Sequence, residues 1–106
     1  MTNLSVNQHT VNDGVLRLAV AGEVDVSTCE QLADAINDAI TVHHVAELVI
    51  DLDQVTFLDS AGINALVAGH LLAAEQGVAY LVIEPHGLVE QTLDITAVLA
   101  TLTGRP

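Results

Sequence analysis

The chain has 106 residues, 51% hydrophobic but only 2% aromatic, and its net charge is −12 because two basic residues stand against 14 acidic ones. Nucleic acids and anionic membranes are bound through Lys and Arg, so the composition excludes both and favours a basic protein surface as partner. The length predicts a single domain over residues 1–106, and the one cysteine excludes an intramolecular disulfide.

Two strands joined by a tight turn are predicted at the start of the chain. Residues 4–10 alternate weakly between apolar and polar side chains, and residues 15–21 also read as a strand. Asn12, Asp13 and Gly14 between them are strong turn residues. We therefore expect an antiparallel hairpin.

A first helix is predicted over residues 28–42. Ser27 and Glu30 have the spacing of a capping box, which begins a helix. Apolar side chains then recur at every fourth position: Leu32, Ile36 and Ile40. His43 and His44 follow, where an imidazole suits the negative end of a helix.

The junction between a buried strand and a second helix organises the rest of the chain. The apolar run at residues 48–52 predicts a central parallel strand, and residues 61–76 predict a helix ending at Gly77. One face of this helix is expected to be buried: Ile63, Leu66, Val67, Leu71 and Leu72. Asp59 and Ser60 lie at the junction, where a short side-chain oxygen can cap the helix.

The last predicted elements are a strand at residues 79–83, a short helix at 87–93 and a short strand at 98–102. Alternating strands and helices predict an α/β fold with a mostly parallel mixed sheet of four to five strands and helices mainly on one face. The N-terminus lacks the features of a signal peptide, and the apolar runs are too short for a membrane span. A cytoplasmic protein is the expectation.

Acidic and hydroxyl side chains follow two neighbouring strands of this predicted sheet. Asp25 comes after the strand at residues 15–21, and Ser60 comes after the strand at 48–52. The carboxyl ends of parallel strands meet at one edge of a sheet, where α/β proteins place their sites. We therefore expect Asp25 and Ser60 to share one surface.

Two segments resemble motifs of a known family. Residues 57–62 read Phe-Leu-Asp-Ser-Ala-Gly, and residues 22–25 read Gly-Glu-Val-Asp. Both, with the order of the elements, resemble the STAS domain and specifically the bacterial anti-sigma-factor antagonists. The resemblance covers nearly the whole chain, although the final helix of many relatives has no counterpart after the last predicted strand.

The resemblance implies a switch operated by partners. An anti-sigma factor with serine kinase activity would phosphorylate Ser60, and a phosphatase would reverse this. The unphosphorylated form would bind the anti-sigma factor and so free a sigma factor. The implied partner-binding residues are Asp25, Asp59, Ser60, Ala61, Gly62 and Ile63. A purely structural role stays open for each, with Ser60 as a helix cap and Asp25 as a solvated loop carboxylate.

Other function classes find less support in the residues. Ser60 lacks the Gly-x-Ser-x-Gly elbow of hydrolases and no phosphate-cradling Gly-rich loop is present, so we expect neither catalysis nor a cofactor. The histidines are not clustered with carboxylates or thiols, which predicts no metal site. The alternative is a STAS subunit of an ABC-type lipid-transport complex. By resemblance, serine rather than threonine after Asp59 favours the antagonist.

Overall fold

The fold is that of a computed structural model in which residues 4–12, 14–43 and 45–84 are described. These residues form four strands and two helices: β1 Leu4–Asn12, β2 Val15–Val24, α1 Cys29–Thr41, β3 Glu47–Leu58, α2 Ser60–Gln76 and β4 Ala79–Ile83. The four strands lie side by side in chain order. The helix expected at residues 87–93 and the strand expected at 98–102 lie outside the described residues.

The described sheet is mixed and mostly parallel, which confirms the predicted fold class. β1 and β2 form the expected antiparallel hairpin. Gly14 lies in the turn with a φ of +81°, a conformation that favours glycine. β2 pairs in parallel with β3, and β3 with β4.

The core lies between the two helices and one face of the sheet. Alternate residues of the two central strands are buried there: Leu16, Leu18, Val20, Leu48, Ile50 and Leu52. A Cβ on Gly69 of α2 would lie 2.6 Å from Cγ2 of Ile36 in α1 and 2.8 Å from the Tyr80 hydroxyl of β4. That hydroxyl donates to the carbonyl oxygen of Leu66 (2.8 Å), and burial raises the pKa of the Tyr80 phenol. The two helices therefore cover the same face of the sheet, as predicted.

The third strand is longer than the sequence predicts, because it continues past residue 52 to Leu58. Its buried residues change from every second position to every third, at Leu52, Val55 and Leu58. The register with β2 shifts twice here, and each shift leaves an extra residue on β3. Each bulge keeps an apolar side chain on the core face although the alternation is broken. β2 likewise continues past residue 21 to Val24.

The first helix begins without the predicted capping box. Its N-cap residue is Thr28, whose side chain makes no capping hydrogen bond. The Thr28 hydroxyl instead donates to the carbonyl oxygen of Glu23 (2.8 Å) and accepts from the backbone N–H of Asp25 (3.0 Å). The backbone N–H groups of Thr28 and Cys29 both donate to the Asp25 carbonyl oxygen (3.1 and 2.8 Å), and the helix begins one residue later than predicted. The helix ends at Thr41, ahead of His43.

The second helix agrees with its prediction to within one residue at either end. Gly77 ends it at a φ of +71°, and its N–H donates to the carbonyl oxygens of Ala73 and Ala74. Leu66 is fully buried, as the apolar pattern predicts. Leu71 was wrongly predicted to be buried, because it is 62% exposed. In a helix this rich in apolar residues the spacing alone does not separate the buried side from the exposed one.

Candidate functional site

The ends of the two central strands bring the predicted site residues together. Val24 and Leu58 are the last residues of β2 and β3, and they are paired across the parallel ladder. The backbone N–H of Asp59 then donates to the carbonyl oxygen of Val24 (3.2 Å). The segments carrying Asp25 and Ser60 therefore leave the sheet beside each other at one edge, as predicted. We call this surface, formed by residues 25–27 and 57–60, the carboxyl edge.

Asp59, rather than Ser60, is the cap of the second helix. Its Oδ1 accepts from the backbone N–H groups of Ala61 (2.9 Å) and Gly62 (3.2 Å), and its own backbone is extended. Ser60 is then the first residue of α2 and is exposed. Because Asp59 satisfies the capping donors, the Ser60 hydroxyl is not used in the cap. It stands at the positive end of the helix dipole, in contact with solvent.

Gly62 allows the N-terminal end of α2 to pack closely against the sheet. A Cβ there would lie 2.7 Å from Cγ1 of Val24 and closer still to Cδ1 of Leu58. The helix backbone therefore rests against both strand ends, which fixes the position of Ser60. Gly62 and Ile63 are buried and Ala61 is half-buried. Of the stretch from Ser60 to Ile63, the serine is the residue most open to a partner.

The loop after β2 is held by the Asp25 carboxylate. Its Oδ1 accepts from the backbone N–H and the hydroxyl of Ser27 (2.9 and 2.7 Å), and from the Thr28 hydroxyl (3.3 Å). The hydrogen bond from the Ser27 side chain is the main cause that lowers the pKa of Asp25 below its ordinary value. The Asp25 carbonyl oxygen also accepts from the N–H of Cys29 (2.8 Å). The Asp25 carboxylate therefore fixes the conformation of the loop and also gives it a negative charge.

Two exposed apolar side chains at this edge were not predicted as site residues. Val26, between Asp25 and Ser27 in the loop, is 81% exposed. Phe57, the one phenylalanine of the chain, is 42% exposed two residues before Asp59. Single exposed apolar side chains are common on protein surfaces, whereas aromatic side chains such as Phe57 are enriched in protein interfaces. The sequence signal for Val26 was a single valine within a polar loop, and this does not by itself show that the side chain is exposed.

The electrostatics of the edge are acidic. Glu23, Asp25 and Asp59 lie on or next to it, whereas Arg17, in the middle of β2, is the single Lys or Arg among the described residues. Within that same part of the chain, no three His, Cys, Asp or Glu side chains are grouped so that they could hold a metal ion. No described helix is long and apolar enough to cross a membrane. The chemistry of the edge is that of an exposed hydroxyl among carboxylates and apolar side chains.

Comparison with known proteins identifies the family. The model of the STAS domain matches residues 8–105, so the chain belongs to the STAS domain family. The anti-sigma-F factor antagonist RsfB of Mycobacterium tuberculosis is 40% identical over 57 residues, which are 54% of this chain and 46% of RsfB. The matched region thus spans about half the length of this curated relative.

Solved structures show the same fold. A crystal structure of an anti-sigma factor antagonist from Mycobacterium paratuberculosis is similar with a TM-score of 0.78 and 27% identity, covering 94% of this chain and 83% of that one. SpoIIAA in its unphosphorylated form also has a TM-score of 0.78, at 17% identity, covering 90% of this chain and 83% of SpoIIAA. Bacillus SpoIIAA in its phosphorylated form has a TM-score of 0.69 at 20% identity, covering 93% of this chain and 88% of that protein.

Proposed function

We propose that this STAS domain is an anti-sigma-factor antagonist switched by phosphorylation of Ser60. The unphosphorylated form binds an anti-sigma factor through the carboxyl edge and so frees a sigma factor. The observation that carries the proposal is the exposed Ser60, held as the first residue of α2 by the Asp59 cap. Its setting in a STAS domain similar to RsfB supports the choice of partner.

The proposed modification needs chemistry that only the partner supplies. The Ser60 oxygen bonds to the γ-phosphorus of an ATP held by the kinase, and the bond from that phosphorus to its bridging oxygen breaks. ADP leaves with the electron pair, and the serine proton passes to a base on the kinase. This chain contributes the hydroxyl and its position, and we propose that it acts in the cytoplasm as a single non-enzymatic domain over residues 1–106. A phosphatase restores the binding form.

The proposal is tested by incubating the protein with its cognate anti-sigma factor and Mg-ATP, followed by mass spectrometry. We expect one phosphate, located on Ser60, and none on Ser60→Ala. Ser5→Ala is the matched control, because Ser5 is an exposed serine on β1 outside the carboxyl edge, and it should be phosphorylated like the unsubstituted protein. An unmodified protein would contradict the proposal and favour a transport-subunit role, whereas a phosphate on another serine would contradict the choice of Ser60.

The role of Asp25 gives a second prediction. Asp25→Ala removes both the loop-shaping acceptor and a charge, so we expect binding of the anti-sigma factor to weaken by roughly tenfold, as on truncation of a well-placed interface residue. Asp25→Asn keeps an oxygen that can accept from Ser27 and so separates the two contributions. Binding is measured by isothermal titration. Unchanged affinity of a folded Asp25→Ala would remove Asp25 from the interface.

A further inference from the structure

The two helices leave an open groove on the side away from the sheet. The groove contains a cavity of about 280 Å³ that is open to solvent, and its lining includes the buried residues Ile36, Ala65 and Gly69. Asp34 of α1 lines one side, and Ala68 of α2 lines the other, and both are exposed. Half of the eight lining residues are small, namely Ala33, Ala65, Ala68 and Gly69, so little side-chain volume fills the groove.

The two rims of the groove differ in character. On α1, exposed carboxylates recur every fourth residue at Glu30, Asp34 and Asp38, so they lie along one side of the helix. On α2, the exposed side is mixed, because Ala68 and Leu71 (62% exposed) lie at helical spacing with the exposed Asn64 and Glu75. Neither helix contains a Lys or Arg. The groove therefore has a mostly apolar interior, an acidic rim on α1 and a mixed rim on α2.

We propose that this groove binds an amphipathic helix of a partner protein, with Leu-sized side chains entering the cavity and Lys or Arg along the α1 rim. Helices are commonly recognised by their apolar face in a groove of this kind. The cavity of about 280 Å³ is open to solvent, so side chains of a partner helix can enter it.

Charge selects this partner over others. A second copy of the chain carries the same net charge of −12, and this like charge opposes association. A basic helix has the opposite charge, so its Lys or Arg side chains are attracted to the carboxylates of the α1 rim. Its apolar side chains can pack against Ala68 and Leu71 of α2. The groove lies between the helices and not at the carboxyl edge, so this inference goes beyond the proposed function and holds whichever state Ser60 is in.

The probe for the test is a synthetic amphipathic helix of leucine and lysine, titrated into isotopically labelled protein and followed by NMR. We expect amide shifts concentrated at residues 33–37 and 65–72, and binding that weakens as salt is added. A peptide with glutamate in place of every lysine should bind at least about tenfold more weakly, because only its charge differs.

Two substitutions locate the binding. Ala68→Phe fills the groove and should reduce affinity at least about tenfold. Ala74→Phe is the matched control, since Ala74 is exposed on the same helix but does not line the cavity, and it should bind like the unsubstituted protein. Asp34→Lys should also weaken binding, and it tests the groove independently if Ala68→Phe fails to fold.

Three results would overturn the inference. The first is a shift pattern spread over acidic residues outside α1 and α2. The second is equal affinity of the lysine peptide for folded Ala68→Phe and Ala74→Phe. The third is a concentration-dependent shift of the groove residues without peptide, which would make the occupant a second copy of this chain.

Discussion

Replacing Gly62 with valine is expected to lower the free energy of unfolding by about 2–3 kcal/mol, the usual cost of overpacking a core. The added Cβ would lie 2.7 Å from Cγ1 of Val24, and closer to Leu58. Val24 is fully buried, and its β-branched side chain has little rotamer freedom with which to move aside. The helix end must therefore lift away from the strand ends.

Urea unfolding monitored by circular dichroism measures this decrease in the free energy of unfolding. The matched control is Ala61→Val, one residue earlier on the same turn and half-buried, where a Cβ is already present and the lower helix propensity of valine should cost less than about 1 kcal/mol. Equal stability of the two variants would mean that α2 is not seated on Val24 and Leu58 as described. Because Ser60 depends on that seat, Gly62→Val should also weaken partner binding.

A phosphate on Ser60 is expected to weaken partner binding strongly while leaving the fold almost unchanged. It adds about −1.5 to −2 charges at neutral pH. Within the domain it lies at a helix N-terminus, which stabilises an anion by about 0.3–1 kcal/mol. In the proposed interface it would be buried beside the carboxylates of Asp59 and Asp25, and an unpaired buried charge costs about 2–5 kcal/mol. The intermolecular cost exceeds the intramolecular gain.

Two substitutions of Ser60 separate the effect of losing the hydroxyl from the effect of adding a negative charge. Ser60→Ala should bind the anti-sigma factor as the unmodified protein does, because Asp59 and not Ser60 caps the helix. Ser60→Asp should bind more weakly, although a single carboxylate carries less charge than a phosphate. Thermal melts of both variants should stay close to that of the unsubstituted protein. Weak binding by Ser60→Ala would show instead that the hydroxyl itself contributes to the interface.

Most of the described fold was predictable because its pattern is local. The helix over residues 60–76 and the strand Ala79–Ile83 agree with the sequence because apolar spacing and Gly77 mark their bounds. The last half of β3 was not predictable, because two bulges against β2 replace the alternation of buried residues with a three-residue spacing. A bulge depends on the partner strand, which lies more than 30 residues away in the chain. Local pattern cannot supply that information.

The candidate site was predictable in position but not in detail. That Asp25 and Ser60 share an edge follows from parallel strands, and the pairing of Val24 with Leu58 bears it out. The exposure of Val26 and the burial of Gly62 depend on how the loop and helix pack on the sheet. The groove between α1 and α2 needed the packing of both helices, since no pattern within one helix shows which of its small residues face the other.

The most direct measurement is a pair of binding isotherms with the anti-sigma factor, for unmodified protein and for protein stoichiometrically phosphorylated on Ser60, with a thermal melt of each form. We expect the phosphorylated form to bind at least about thirtyfold more weakly, the equivalent of 2 kcal/mol, with its melting temperature nearly unchanged. Equal affinity of the two forms would contradict the switch. Loss of binding together with a large fall in the melting temperature would contradict its mechanism, because the phosphate would then act by unfolding the domain and not by blocking the carboxyl edge.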